Sequence, residues 1–127
     1  MSPDLPTGTV SFLLTDIVGS TRLWQQAPVD MDRAIAHHQD VIGRSVQSHG
    51  GMMLKPRGEG DSTFSVFSRA RDAVAAALDA QHELRSGAWP VPVRPATRMA
   101  VHTGEAVERD GDYFGPVVNR AARLRSV

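Results

Sequence analysis

The sequence predicts an α+β sandwich of ferredoxin-like type, with helices on one face of a mainly antiparallel sheet. Three observations carry this. A run rich in apolar strand formers, Val10 to Leu14, reads as a buried strand and leads into helical periodicity. A glycine-rich turn at 58–60 separates two short β-prone segments and reads as a hairpin. A further helical stretch precedes one more β-prone run, so the order is strand, helices, hairpin, helix, strand, helix.

Residues 1–7, with Pro3 and Pro6, read as a flexible lead-in, and 8–127 as one domain. The first strand covers 8–15. Ser20 or Thr21 caps a short helix that ends near Pro28. Asp30 or Asp32 opens a longer helix on which Met31, Ile35, His38, Ile42 and Val46 recur at helical spacing, and Gly50-Gly51 stops it. Met52 to Leu54 begins a second strand, 55–60 is the turn, and Ser62 to Phe67 returns as a third, with Phe64 and Val66 on one face. Residues 70–85 form a helix with Ala70, Val74, Ala77, Leu78 and Gln81 on one side. The proline-rich stretch 90–95 is a surface connection to a fourth strand, Thr97 to His102. A turn follows at Asp110-Gly111-Asp112, and Pro116 suits the first turn of a last helix. The chain reaches Val127 with no closing strand, which predicts a domain incomplete before its last strands.

Composition narrows the function. Hydrophobic residues make up 41% of the chain, enough for a real core and unlike a disordered segment. Fourteen basic and fourteen acidic residues cancel, so no global field recruits nucleic acid or a membrane surface, and any phosphate ligand is held by local geometry. The absence of cysteine excludes disulfides and thiolate metal sites and suits a cytoplasmic setting. No apolar run is long enough to span a bilayer, and the N-terminus does not open a signal peptide.

Three features carry chemistry. Asp16 ends the first strand, and Gly19-Ser20-Thr21 follows as a turn into a helix, where backbone N–H groups and the helix dipole favour phosphate. A carboxylate beside a phosphate cradle is a common way to hold Mg²⁺ against a nucleotide. A second acidic position, Asp61, stands in Gly58-Glu59-Gly60-Asp61 at the hairpin tip. If the first strand lies beside this hairpin, the two carboxylates converge at one sheet edge and suit two Mg²⁺ or Mn²⁺ ions. On the last helix Asn119 and Arg123, four residues apart, share a face amid Val117, Val118, Ala121 and Leu124. Such a pair can orient a sugar oxygen and neutralise a phosphoryl oxygen. Taken singly, each feature also reads as a polar turn or a solvated helix face. The four helical histidines, His37, His38, His49 and His82, lack metal-ligand spacing and read as surface or core residues. Met52, Met53, Phe64 and Phe67 read as core, and Trp24 and Trp89 as core or dimer contacts.

Together these elements resemble the catalytic domain of the class III nucleotidyl cyclases, adenylyl and guanylyl. The likeness covers residues 8–126. It rests on Thr15-Asp16-Ile17 with Gly19-Ser20-Thr21, on Gly60-Asp61, on His102-Thr103-Gly104-Glu105, and on Tyr113-Phe114-Gly115 leading to Asn119 and Arg123. The chain looks most like the actinobacterial type, in which this domain precedes ATPase and helix-turn-helix regions. The resemblance implies that Asp16 and Asp61 are metal carboxylates, with the Ile17 carbonyl as a further ligand. It also implies that Asn119 positions the ribose, that Arg123 meets the α-phosphate, and that Asp112 reads the adenine amino group. It implies ATP as substrate, with GTP as the alternative, and a homodimer whose sites draw carboxylates from one subunit and Asn119 and Arg123 from the other.

Two departures bear on this. The second base-reading position, usually Lys or Glu in the family, is Arg57, with Lys55 two residues earlier. An alignment that makes Lys55 the reader and Glu59 the metal acid loses the family spacing from Asp61 to Phe67. Arg57 replaces a flexible ammonium with a rigid fork. The family's phosphate-binding Lys or Arg lies on strands beyond the last helix. The expected activity is therefore conversion of ATP to 3′,5′-cyclic AMP and pyrophosphate. The alternative is a weak or inactive cyclase-like module that senses nucleotide or dimerises within a transcriptional regulator.

Overall fold

The computed structural model describes residues 5–54, 61–116 and 118. Its elements are β1 (Gly8–Ile17), α1 (Ser20–Gln26), α2 (Pro28–Ser48), β2 (Met52–Met53), β3 (Thr63–Phe67), α3 (Ala70–Ser86), β4 (Thr97–Arg109) and β5 (Asp112–Phe114). The strands form one sheet in the order β2-β3-β1-β4-β5, and every neighbouring pair is antiparallel. The expected α+β layout holds.

β1 lies at the centre because it is apolar on both sides. Val10, Phe12 and Leu14 join Phe64 and Val66 on one face, where Tyr113 and Val118 close over them. Phe12 stacks on Phe64 at 5.0 Å between ring centroids and meets the edge of Tyr113 at 5.3 Å. The Tyr113 hydroxyl donates to the Pro6 carbonyl at 2.6 Å, which ties the start of the chain to the far hairpin. On the other face Leu13 and Phe67 pack against Val41, Ile42 and Val46 of α2 and Ala73, Ala76, Ala80 and Leu84 of α3. Ile17 packs with Met31, Ala34 and Val91 at the end of the same layer.

The helix-stopping role of Gly50-Gly51 holds. Gly50 takes a left-handed φ of 76°, and the Gly51 N–H donates to the Val46 carbonyl at 2.9 Å. A Cβ on Gly51 would come within 2.4 Å of the Phe67 ring, so the chain passes under that side chain only as glycine.

Several local expectations are corrected. Neither Ser20 nor Thr21 caps α1: Gly19 does, at φ 65° and ψ 33°, because the chain leaving β1 reverses too sharply for an extended cap residue. α2 opens at Pro28 after Ala27, and Asp30 falls in its first turn instead of starting it. On α3 the packed stripe is Ala73, Ala76, Ala80 and Leu84, while Val74 and Leu78 are 46% and 66% exposed. Two stripes compete on this helix, and the one made of small residues lets it lie close to the sheet. Met53 is exposed, not core, because β2 is the edge strand. The fourth strand runs on to Arg109. It returns as β5 through Asp110 and Gly111, both at positive φ, as a tight antiparallel hairpin requires. Pro116 and Val118 are helical as expected.

Candidate active site

The register of β1 and β3 brings the two candidate metal carboxylates to one end of one strand pair. Thr15 stands opposite Thr63, and their hydroxyls are 2.6 Å apart in a fully buried hydrogen bond. Asp16 is the next residue along β1, and Asp61 lies two residues before Thr63 on the approach to β3. Ile17 is anchored by its buried side chain, and the next N–H, that of Val18, donates to the Ala96 carbonyl at 2.9 Å. These contacts hold the backbone on either side of Asp16. Gly19, Ser20 and Thr21 follow as the left-handed turn and first residues of α1, beside the same end.

Arg98, a residue the sequence reading passed over, occupies the Asp16 carboxylate. It is the register partner of Asp16 on β4. Its Nε donates to Oδ1 at 2.9 Å and its Nη2 to Oδ2 at 2.7 Å, a bidentate fork. The signal was present in the sequence as a lone Arg at the start of a β-prone run, with nothing local to show which strand it would face.

Asp61 is 7% exposed, and among the described residues no cation pairs with it. Its field reaches His38 of α2. That imidazole is fully buried, and burial pushes its pKa down to about 4 against the opposing pull of Asp61, so it is neutral near pH 7. The donor set is two carboxylates and a backbone carbonyl, all hard oxygens, and the Asp61 carboxylate is buried. That set suits Mg²⁺ or Mn²⁺ and does not suit a soft metal. Among the described residues no three His, Asp or Glu side chains form a cluster of their own.

Asp112 is elsewhere in the chain. It pairs with Arg109 at the β4–β5 hairpin, eleven residues along β4 from Arg98, which is about 36 Å of strand path. Its Oδ1 accepts from the Tyr113 N–H at 2.8 Å. A single chain therefore sets Asp112 at the opposite end of β4 from Asp16. Lys55, Arg57, Asn119 and Arg123 lie outside the described residues. His102, of the His102-Thr103-Gly104-Glu105 stretch, pairs with Phe12 in the sheet. Trp24 is 39% exposed, while Trp89 is half-buried, donates to the Leu84 carbonyl and lies against His37. Among the described residues no helix is long and apolar enough to cross a membrane.

No family model matches the chain. An uncharacterized protein of Mycobacterium tuberculosis is 46% identical over 122 residues, which cover 96% of this chain and 40% of that protein. The adenylate cyclase of Lachancea kluyveri is 33% identical over 147 residues, covering 96% of this chain and 8% of that enzyme. Among solved structures, an adenylate/guanylate cyclase/hydrolase from Silicibacter pomeroyi is 30% identical with a TM-score of 0.75, covering 94% of this chain and 69% of that one. An adenylate cyclase from Trypanosoma brucei, determined in its monomeric state, superposes with a TM-score of 0.84 at 25% identity, covering 99% of this chain and 72% of that one.

Proposed function

Because this chain belongs to the class III nucleotidyl cyclase catalytic domains, which are phosphorus–oxygen lyases, we propose that it converts ATP to 3′,5′-cyclic AMP and pyrophosphate in a site shared by two copies. In this reaction the ribose 3′-oxygen bonds to the α-phosphorus, the bond from that phosphorus to the β-phosphate bridging oxygen breaks, and the 3′-hydroxyl proton is lost. The observation that carries the reading is the placement of Asp16 and Asp61 at one end of the β1–β3 pair.

Asp16, Asp61 and the Ile17 carbonyl would hold two Mg²⁺ or Mn²⁺ ions, which supply charge neutralisation of the leaving pyrophosphate and ease loss of the 3′-hydroxyl proton. The residues of the chain do the rest. The Gly19-Ser20-Thr21 turn offers backbone donors to phosphate oxygens. From the second copy, Asn119 orients the ribose and Arg123 meets the α-phosphate, while Asp112, with Arg57 or Lys55, reads the base. The separation of Asp112 from Asp16 along β4 supports a site completed by a second chain. The non-catalytic reading rested on Arg57, which lies outside the described residues. In the full-length protein, Asp16→Asn and Asp61→Asn should each reduce cyclic-nucleotide formation, measured with saturating Mn²⁺ and ATP or GTP, to the uncatalysed background. Retained turnover in either variant overturns the assignment.

A further inference from the structure

The layer between α2 and the sheet contains a polar patch that the proposed reaction does not use. Along α2, Met31 and Ala34 pack with Ile17, whereas Val41 and Ile42 pack with Leu13. His38 lies between these two groups on the same buried helix face. On β1 the residue between Ile17 and Leu13 on that face is Thr15. The interleaving therefore sets His38 over the Thr15–Thr63 pair, with Ser65 next along β3 on the same face.

This patch is short of partners. Nδ1 and Nε2 of His38 and Oγ of Ser65 are buried and accept or donate no hydrogen bond among the described residues. Buried polar atoms are nearly always satisfied, and each unsatisfied one costs stability and calls for a reason. A leucine would fill the same position at no such cost. The imidazole is also within the electrostatic reach of Asp61, two residues from Thr63.

We infer that His38 is a positioning residue for Asp61, acting through the hydrogen-bonding capacity of its ring and not through its volume. The inference rests on Asp61 being a metal ligand. Since the ring and the carboxylate share no direct hydrogen bond among the described residues, the proposed link is a bridging internal water, for which the two unpartnered ring nitrogens supply one end. Partners behind a metal ligand fix its orientation, and losing one weakens metal affinity by about 10- to 100-fold.

The test compares His38→Leu with His38→Asn, which are close in shape and opposite in polarity, in the full-length protein. Mn²⁺ binding is measured by electron paramagnetic resonance without nucleotide. His38→Leu should fold, unfold at a temperature no lower than the parent protein, and bind Mn²⁺ at least tenfold more weakly. His38→Asn should recover most of that loss. Equal affinity in the two variants overturns the inference and leaves His38 a core residue. Should His38→Leu fail to fold, ring nitrogen resonances of His38 in the parent protein decide. They should move on adding Mg²⁺ and stay still in Asp61→Asn, and a signal that Mg²⁺ leaves unmoved overturns the link. If Asp61→Asn itself binds Mn²⁺ like the parent, the two-carboxylate reading fails, and the inference falls with it for that separate reason.

Discussion

Arg98 grips both oxygens of Asp16 from the neighbouring strand, at 2.9 Å and 2.7 Å, in the register position directly opposite it. A divalent cation bound by Asp16 would compete for the same two oxygens. The guanidinium thus neutralises the carboxylate, and it would be displaced from at least one oxygen if Asp16 took a metal as proposed. Arg98 is the more exposed partner, so it has room to move.

Replacing the guanidinium tests that competition. Arg98→Gln should tighten Mn²⁺ binding by a factor of a few, measured by calorimetry in the absence of nucleotide. The melting temperature should change little, since exposed ion pairs contribute little to stability. Weaker Mn²⁺ binding in this variant would show that Arg98 supports the metal form of Asp16 and does not compete with it.

Tyr113 gives a second prediction. It is the only tyrosine in the chain, so a phenolate absorbance titration reports on it alone. Burial, with a smaller contribution from Glu108, pushes its pKa from 10.0 up to about 12. The folded state therefore holds the phenol proton more tightly than the unfolded state. The stability linked to it is fully present below pH 10.0 and is lost as pH rises towards about 12. The titration should run late in native protein and near the ordinary value in denaturant. Tyr113→Phe should remove this alkaline dependence and cost about 1 kcal/mol at neutral pH through loss of the bond to Pro6. Coincident native and denatured titrations would contradict this.

How far the sequence speaks depends on whether a feature is local. β1 was legible because four of the five residues from Val10 to Leu14 are apolar and fall on both faces, as in a strand buried on both sides, and Gly50-Gly51 because a helix end needs a left-handed residue. Asp16 was legible as a carboxylate at the end of the first strand, although β1 runs on through it to Ile17, and Asp61 as one at the hairpin tip; their shared end of the sheet is a matter of register, which Thr15 and Thr63 fix across 48 residues. Arg98 stayed hidden for the same reason: its partner lies 82 residues away. The α3 face was misread because Val74 and Leu78 are more hydrophobic than the alanines that pack, and closeness of approach outweighed hydrophobicity. β5 was missed because Asp112, Tyr113 and Phe114 make too short a run to read as a strand without the partner they pair with.

Base recognition is tested by Arg57→Lys and Asp112→Asn. The first supplies the ammonium common in adenylyl cyclases and should raise the ratio of kcat/KM for ATP over GTP. The second weakens the acceptor for the adenine amino group and should lower that ratio by about tenfold, the worth of one hydrogen bond to a charged group. Ratios that stay fixed in both variants would assign base reading to other residues.

A site shared between two copies, as proposed, would behave differently on subunit mixing from a self-contained one. Asp16 and Asp61 stand at one end of the β1–β3 pair, and Asp112 stands at the opposite end of β4. In a two-fold dimer each site then takes its carboxylates from one chain and Asn119, Arg123 and Asp112 from the other. Asp61→Ala and Arg123→Ala should each be nearly inactive as homodimers, because each lesion falls in both sites. In a mixed dimer both lesions fall in one site, and the other site is intact. Mixing equal amounts under conditions that allow subunit exchange should restore activity to about a quarter of the parent protein, since half the dimers are mixed and each has one working site. Exchange is followed independently by energy transfer between labelled subunits. Full exchange with no recovered cyclic nucleotide would place all the residues within one chain's own site and overturn the interface model.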